Sequence, residues 1–429
     1  MVNSEHHASI EMEKLAEYLG GKLETFQPLT RECSIYRVPE RKRCLHPSDY
    51  TPKMVSIGPF HYGKPELKAM EEQKERYLKC FLQRTKARLA SFLEFVKQRE
   101  AEVRNCYAET IHNLASDEFV TMVLVDAIFL IELFLRYYNR NLRTDEDPIL
   151  GKSCLFWEIR QDFLLLENQL PLVILNDLFN LAKTAASSHR FYEEISYTTV
   201  TCYWFRDDIV GYFPMKENLL EIHISEAKHF LHLLMLCLHP SQMPDQDKLK
   251  NDDQNIPSVK ELHEAGVKFK SGSSKNLIDI KFSDGILEIP FFTVYYYDTE
   301  PLYRNLLAFE RMHGCPSYFN DYIIMMSCLV NTPKDAEFLI QNKIIGLGFS
   351  EILPSVFRSL DRDCSWDIPF KYSGVVADLQ AYCKLPWHKW KATLKQNYFN
   401  TPWASISVIA AVILLLLTSI QTVCSLIGL

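Results

Sequence analysis

From Trp403 to Leu429 the chain reads WASISVIAAVILLLLTSIQTVCSLIGL, and the last charged side chain before it is Lys395. No other feature restricts the structure so sharply. A helix needs about 20 mostly apolar residues to cross a hydrocarbon core of ~30 Å, and this run is long enough. Its few Ser and Thr hydroxyls can bond back to their own helix carbonyls. Tyr398 and Trp403 stand where an interfacial aromatic belt lies. The sequence therefore predicts a C-terminal transmembrane anchor over 399–429, formed by Trp403, Ile406, Val408, Ile409, Val412, Ile413, Leu414, Leu415, Leu416, Leu417, Ile420 and Val423. Lys384, His388, Lys389, Lys391 and Lys395 precede it, which by the positive-inside rule predicts a cytosolic head. The N-terminus, MVNSEHHASIEMEKLAEYLG, lacks the basic and apolar regions of a secretory signal. The expected address is a single-pass tail anchor in the plasma membrane or the endoplasmic reticulum. A head over 30–398 and a mobile tail over 1–29 are expected before it.

A second apolar run, FVTMVLVDAIFLIELFL at 119–135, holds Asp126 and Glu132. A centred Asp costs about 2.5–3.5 kcal/mol on membrane insertion, so this run is expected to be the central buried helix of the head. Periodicity predicts an amphipathic helix over 65–104 with Pro65 at its first position. A third helix is expected over 154–181, kinked or broken at Pro171, and a fourth opened by Ser225 and Glu226 and stopped by Pro240. Ser116 is expected to cap the buried helix. Alternation at Ile278, Ile280 and Phe282, a turn at Ser283-Asp284-Gly285 and a return through Leu287 and Ile289 predict a β-hairpin. The polar segments 184–201 and 240–258 are expected to be exposed. The sum is a mainly α fold: a single helical head with a few short strands including one β-hairpin, plus one C-terminal transmembrane helix.

Composition excludes some functions. With 47 Lys and Arg against 54 Asp and Glu, the net charge of −7 offers no basic footprint for nucleic acid. The 12 cysteines include no Cys-x-x-Cys pair, so they read as reduced, mostly buried thiols. Gly58 to Lys64 has the Gly-x-x-x-x-Gly-Lys spacing of a phosphate loop. Pro65, however, stands where Ser or Thr must hold magnesium, so a structural turn is expected and no nucleotide. His223, His229, His232 and His239 cluster with Glu226 but lack a His-Glu-x-x-His pattern. They are expected at the surface or the core edge, and no metal or other cofactor is expected. Glu118, Asp126 and Glu132 lie in one apolar helix and Glu167 in another apolar run. Buried carboxylates must be paired or carry raised pKa values, so these four are weak catalytic candidates. The commoner outcome is a structural ion-pair network, with Arg160, Arg304 or Arg311 as the expected partners.

Several segments also carry a resemblance. They are IYRVPERKRCLHPSDYTPKMVSIGPFHYGKPELKAMEEQKERYL at 35–78, DFLLLENQLP at 162–171, ELHEAGVKFK at 261–270, GILEIPFFTV at 285–294, RNLLAFER at 304–311 and YFNTPWASISVIAAVILLLLT at 398–418. In this order, over about 34–420, they resemble the plant family catalogued as domain of unknown function 247. The resemblance implies a mostly helical plant protein with a C-terminal membrane segment. Some grass members of that family are linked to self-incompatibility as pollen-side recognition determinants. No shared enzymatic activity comes with the family, so no catalytic residue is carried over. The expected function is a membrane-tethered recognition or scaffold protein with an unidentified protein partner and no catalysis. The alternative is a tail-anchored hydrolase using the buried carboxylates. Carboxylates all paired with Arg or Lys favour the first; a water-filled cleft lined by two unpaired ones favours the second.

Overall fold

A computed structural model describes residues 12–21, 23, 32–111, 113–143, 147–151, 153–186, 194–212, 218–240, 255–295, 298–346, 350–366, 370–385 and 402–428. Side chains are described for these except 153–154, 207–212, 402–405, 408 and 424–427. The fold is mainly helical, with a few short strands.

The long amphipathic stretch forms helices, though not one. Pro65 opens a 3-10 turn, as its fixed φ allows, and leads into α1, Lys68–Thr85. Met70, Lys74, Tyr77 and Phe81 line its buried face at spacings of three and four. Lys86, at φ 55°, ends it in the left-handed conformation. The chain resumes in α2, Leu89–Gln98.

Helix α3, Ser116–Tyr138, is the predicted central helix. From Phe119 to Arg136 nearly every side chain is buried, and α1 and α2 pack against it. Its cap differs from expectation. Ala115 takes the N-cap position, while the Ser116 hydroxyl bonds Glu100 and Lys97.

The third helical stretch is broken before Pro171, one of the two expected outcomes, into helices α4, Ser153–Asp162, and α5, Leu172–Ala185. Pro171 caps α5 at φ −61° and ψ 133°, because the residue holds the backbone extended at a helix entrance. Residues 163–171 between them run as a non-helical turn. Helix α6, Tyr197–Tyr212, and helix α7, Phe230–Cys237, follow. His229, not Ser225, caps α7, its ring accepting from the His232 N–H. Phe134 of α3 stacks on Trp204 of α6 at 4.7 Å and meets Phe230 of α7 at 5.7 Å.

Helix α8, Val259–Glu264, starts from a Ser258 capping box and leads into a three-stranded sheet. Strand β3, Ile286–Pro290, is central, parallel to β1, Lys268–Gly272, and antiparallel to β2, Lys281–Ser283. Asp284 and Gly285, at φ 51° and 72°, make the predicted hairpin turn. The strand before it is shorter than expected. Burial does not alternate there, since Leu277 and Asp279 are buried along with Ile278 and Ile280, and the Ile278 N–H bonds the Asn276 side chain at 3.1 Å, outside the sheet. A parallel pair, β4 at Phe292–Thr293 and β5 at Ile345–Gly346, carries no alternation signal. The rest is helical: α9, Thr299–His313; α10, Tyr318–Leu329; α11, Pro333–Gln341; α12, Leu353–Asp361; and α13, Ser373–Lys384. Buried apolar side chains form a continuous cluster from Ile35 to Leu379.

Of the two segments expected to be exposed, 187–193 and 241–254 lie outside the described residues. Their described parts are mixed: Thr184, Ala185, Glu194, Ser196, Thr199 and Asn255 are exposed, while Ala186, Ile195, Tyr197, Val200 and Ile256 are buried. In the expected tail, 12–21 is helical with Met12, Leu15, Tyr18 and Leu19 exposed.

The final helix, α14, runs from Pro402 to Ile427, 26 residues. Its described side chains, Ile406, Ile409, Val412 to Leu417, Ile420 and Val423 among them, are exposed. Trp403 and Val408 lie outside the described side chains, and the continuous described run is 409–423. Among the described residues, no helix is long and apolar enough to cross a membrane.

Candidate functional site

The segment 34–63 forms no regular sheet, so its buried backbone N–H groups need acceptors from elsewhere. They find them on side chains of α3 and of the turn after α4. Asp162, at the end of α4, accepts from three successive N–H groups, Lys53 at 2.9 Å, Met54 at 2.7 Å and Val55 at 2.8 Å. Asn168 accepts from Ile57 at 2.7 Å and donates to the carbonyls of Val55 and Asp162, both at 3.0 Å. Glu167 accepts from Val38 at 2.9 Å, and Asp126 from Gly58 at 2.8 Å. Gln169 ties the turn to itself through Phe163 and Leu165, and to α7 by accepting from the Phe230 N–H at 3.1 Å. Asn305 of α9 closes the far side, accepting from Leu166 at 2.8 Å and donating to Asp49 at 2.7 Å. Gly58 is required where this segment meets the turn after α4. At φ 77°, a Cβ there would stand 2.5 Å from the Gln169 carbonyl oxygen.

Two of the four predicted carboxylates, Asp126 and Glu167, belong to this network and a third, Glu132, is ion-paired apart from it, but their cations are not the expected ones. Asp126 meets the fully buried Lys74 of α1 at 2.6 Å; the same ammonium reaches Glu71 at 2.7 Å and the Ser56 carbonyl at 2.5 Å. Glu132 is held by Arg84 and by Arg136, the latter at 2.7 Å, and Arg136 continues to Asp147 at 2.8 Å. Glu167 contacts Arg43, with Arg37 at 3.8 Å and His61 at 3.5 Å. Glu118 is the exception: it is exposed, because the first turn of α3 emerges from the core. Arg304, an expected partner, instead binds Asp49, Glu300 and Asp363. Arg160 donates to the Trp204 carbonyl at 2.6 Å and lies over the Trp204 and Phe156 rings.

Burial pushes the Asp126 carboxyl up to about 6, against the opposing pull of Lys74 and the Gly58 N–H. Asp162 is likewise raised to about 6 by burial, opposed by its three N–H donors. Both remain mainly ionised at neutral pH. Lys74 is held above its ordinary value, since Asp126 and Glu71 outweigh its own desolvation.

A cleft of about 210 Å³ opens beside the clasp, lined by Ser48, Asp49, Lys53, Gln161, Asp162 and Asp298 among others. Of the four candidate carboxylates, none lines it. Of the four histidines, His239 is exposed and His223 half-buried, as expected, but His229 is wholly buried, with Nε2 3.0 Å from the Ser34 carbonyl oxygen, and His232 is buried, its Nδ1 accepting from the Lys228 N–H. Burial lowers both rings' pKa values, His232 to about 4. Among the described residues no group of His, Cys, Asp or Glu is placed to hold a metal. The ten described cysteines are free; Cys33, Cys106, Cys202 and Cys237 are buried, fewer than expected. Sequence reading missed Lys74, Asp162 and Asn168. Only Lys74 left a signal, as the one charged residue on the apolar stripe of α1.

Residues 35–417 match the family labelled DUF247 and described as "Plant protein of unknown function". The chain is similar to the UPF0481 protein At3g47200 of Arabidopsis thaliana, 27% identical over 424 residues, covering 91% of this chain and 85% of that protein. It is also similar to the UPF0481 protein At3g02645 of the same plant, 22% identical over 483 residues, covering 90% and 89%. No solved structure matches.

Proposed function

The chain belongs to the plant DUF247 family, and from that premise we propose that it is a membrane-anchored recognition or scaffold protein whose helical head binds another protein. One observation carries the non-catalytic part of this reading. Asp126, Glu132 and Glu167 are each engaged by Lys or Arg, and Asp162 by three backbone N–H groups. A general acid or base must exchange its proton with a substrate from within hydrogen-bond reach. Carboxylates already committed to backbone N–H groups or to a buried Lys or Arg are poorly suited to that.

The anchor reading rests on α14. At 1.5 Å per residue its 26 residues extend about 39 Å, more than a ~30 Å hydrocarbon core. It carries no acid or base, and lysines at 384, 389, 391 and 395 precede it, which suits a cytosolic head. Recognition of the self-incompatibility kind is one form of this function, and the plasma membrane and endoplasmic reticulum are its two candidate addresses.

The test is proximity labelling with the full chain, against a control carrying the label on residues 399–429 alone. Recognition predicts proteins enriched by the head over the control. Identical labelling removes the reading. Deleting 400–429 should release the head from membranes, and protease added to intact vesicles should digest it in the full chain. A head protected inside vesicles reverses the topology.

A further inference from the structure

The cleft beside the clasp lies where three stretches of chain meet, and each brings an aspartate to it. Asp49 comes from the 3-10 turn Pro47–Asp49, Asp162 from the end of α4, and Asp298 from the entrance of α9. The rest of the wall is largely apolar, with Leu164, Leu165 and Leu302 buried in it. Ser48 and Lys53 are exposed and mark the mouth. The volume of about 210 Å³ is below the roughly 300–1,000 Å³ of a site for a whole small molecule, and is room for one long side chain.

The ion pairs around this cleft leave it negative. The buried Arg304 guanidinium serves Asp49 at 2.9 Å, but also Glu300 at 2.6 Å and Asp363. Lys42 stands 3.4 Å from Asp363, so two cations serve three carboxylates. Asp162 is bonded by three backbone N–H groups and pairs with no cation among the described residues. Lys53 is 3.9 Å from Glu158, an exposed pair that cancels itself. Two negative charges remain, with Asp298 left out of the balance. Acceptor capacity remains too. Asp49 Oδ1 takes only the Ser48 hydroxyl, at 3.2 Å, and Asp162 Oδ1 only the Lys53 N–H, while each oxygen of a carboxylate can accept two bonds. Burial raises both carboxyls' pKa values despite these bonds, Asp162 to about 6.

We propose that this cleft receives an arginine side chain of the partner protein, its guanidinium on Asp49 and Asp162 and its methylene stem against Leu164, Leu165 and Leu302. The proposal rests on the recognition reading for the source of that side chain and for nothing else. A long basic side chain suits a wall that is apolar along its length and acidic at one end. Arginine suits it better than lysine, because a guanidinium is more weakly hydrated and its five donors can reach two carboxylates on different walls. A metal ion is poorly served: Asp162 spends three acceptor positions on backbone, and among the described residues no group of His, Cys, Asp or Glu is placed to hold one.

The probe is the peptide N-acetyl-Gly-Arg-Gly-amide, titrated at constant ionic strength into the full chain in detergent and followed by calorimetry. Its citrulline counterpart has the same shape and no charge. The arginine peptide should bind saturably, and the citrulline peptide about tenfold more weakly. Asp49→Asn leaves Arg304 its pairs with Glu300 and Asp363, and should weaken binding of the arginine peptide about fivefold. Lys53→Met removes an exposed positive charge from the mouth and should tighten binding about twofold, a gain that a damaged fold cannot give. Spermidine is the competing occupant: if it binds more tightly than the peptide, the assignment to a protein side chain is overturned. No saturable binding, equal binding of the citrulline peptide, or an affinity unmoved by both substitutions overturns the cleft. Proximity labelling keeps the two readings apart. Proteins enriched by the head, beside a peptide that does not bind, remove the cleft alone. A peptide that binds as stated, beside no enriched protein, removes the recognition reading and leaves the cleft's preference for a guanidinium standing.

Discussion

Lys74→Met tests whether the buried carboxylates hold the fold. The Lys74 ammonium is wholly buried and donates to Asp126, Glu71 and the Ser56 carbonyl. Removing it leaves Asp126 facing only the Gly58 N–H, and breaking a buried pair in this way costs about 3–5 kcal/mol. Met replaces most of the lysine stem, so little of the loss is cavity. Unfolding entropy of about 2.1 cal/mol/K per residue gives roughly 0.8 kcal/mol per kelvin for a head of about 370 residues. The melting temperature should therefore fall by about 4–6 °C. Asp126→Asn leaves Lys74 with Glu71 and should cost less. The double variant keeps a carbonyl for Gly58 and removes both charges, so it should recover most of the loss. A pH series adds a second check. The Asp126 carboxyl already sits at about 6 with Lys74 beside it, and must rise further without it. The variant's deficit should thus shrink between pH 8 and pH 5.5, as protonation relieves the unpaired charge. A fall below about 1 °C, a deficit unchanged with pH, or a double variant worse than Lys74→Met would refute the argument.

Glu310 on α9 accepts from the N–H groups of Phe319 at 2.7 Å and Asn320 at 2.8 Å, yet burial pushes its carboxyl up to about 8. Its folded pKa lies above the unfolded one. Its contribution is therefore fully present below about pH 4.5 and lost as pH rises through 8, so wild-type melting temperature should decline from pH 6 to 9 and that of Glu310→Gln should decline less. Asp162→Ala strips the acceptor from three N–H groups, of which that of Val55 is buried and costs about 1–3 kcal/mol while those of Lys53 and Met54 are part-buried and cost less. Asp162→Asn should lose less, and hydrogen exchange at Lys53, Met54 and Val55 should accelerate in both.

What the sequence revealed follows the range of the forces involved. Apolar periodicity is a local signal, so α1, α3 and the hairpin at Asp284-Gly285 were legible. The break at Lys86 was not, because no Gly or Pro marks the left-handed residue there. Pairing partners were the least legible. Asp126 finds a cation 52 residues upstream and Glu167 one 124 residues upstream. Any arginine near an apolar run looks equally suitable, and Arg304 was a reasonable expectation that the fold assigns to Asp49 instead. Caps slipped by a residue or moved outright, as at Ser116 and His229, because several polar side chains compete for each helix end.

The clasp also explains what the family resemblance can and cannot say about function. DFLLLENQLP contributes Asp162, Glu167, Asn168 and Gln169, and each of these bonds backbone groups that lack a sheet partner. The opening segment contributes those backbone groups, together with Gly58, whose hydrogen atom in place of a Cβ lets the Gln169 carbonyl approach. RNLLAFER contributes Arg304 and Asn305, which close the same network from α9. Residues in these three segments are therefore determined by folding, since a changed side chain strands a buried N–H or an ion. Substitution within the clasp should lower stability before it alters recognition. On the proposed recognition function, partner choice is carried by side chains that reach solvent, such as Trp157, Tyr203 and Tyr138, whose rings also pack on Phe156, on Tyr137 and on one another, and a partner lost on changing these three in a head of unaltered melting temperature would place recognition there.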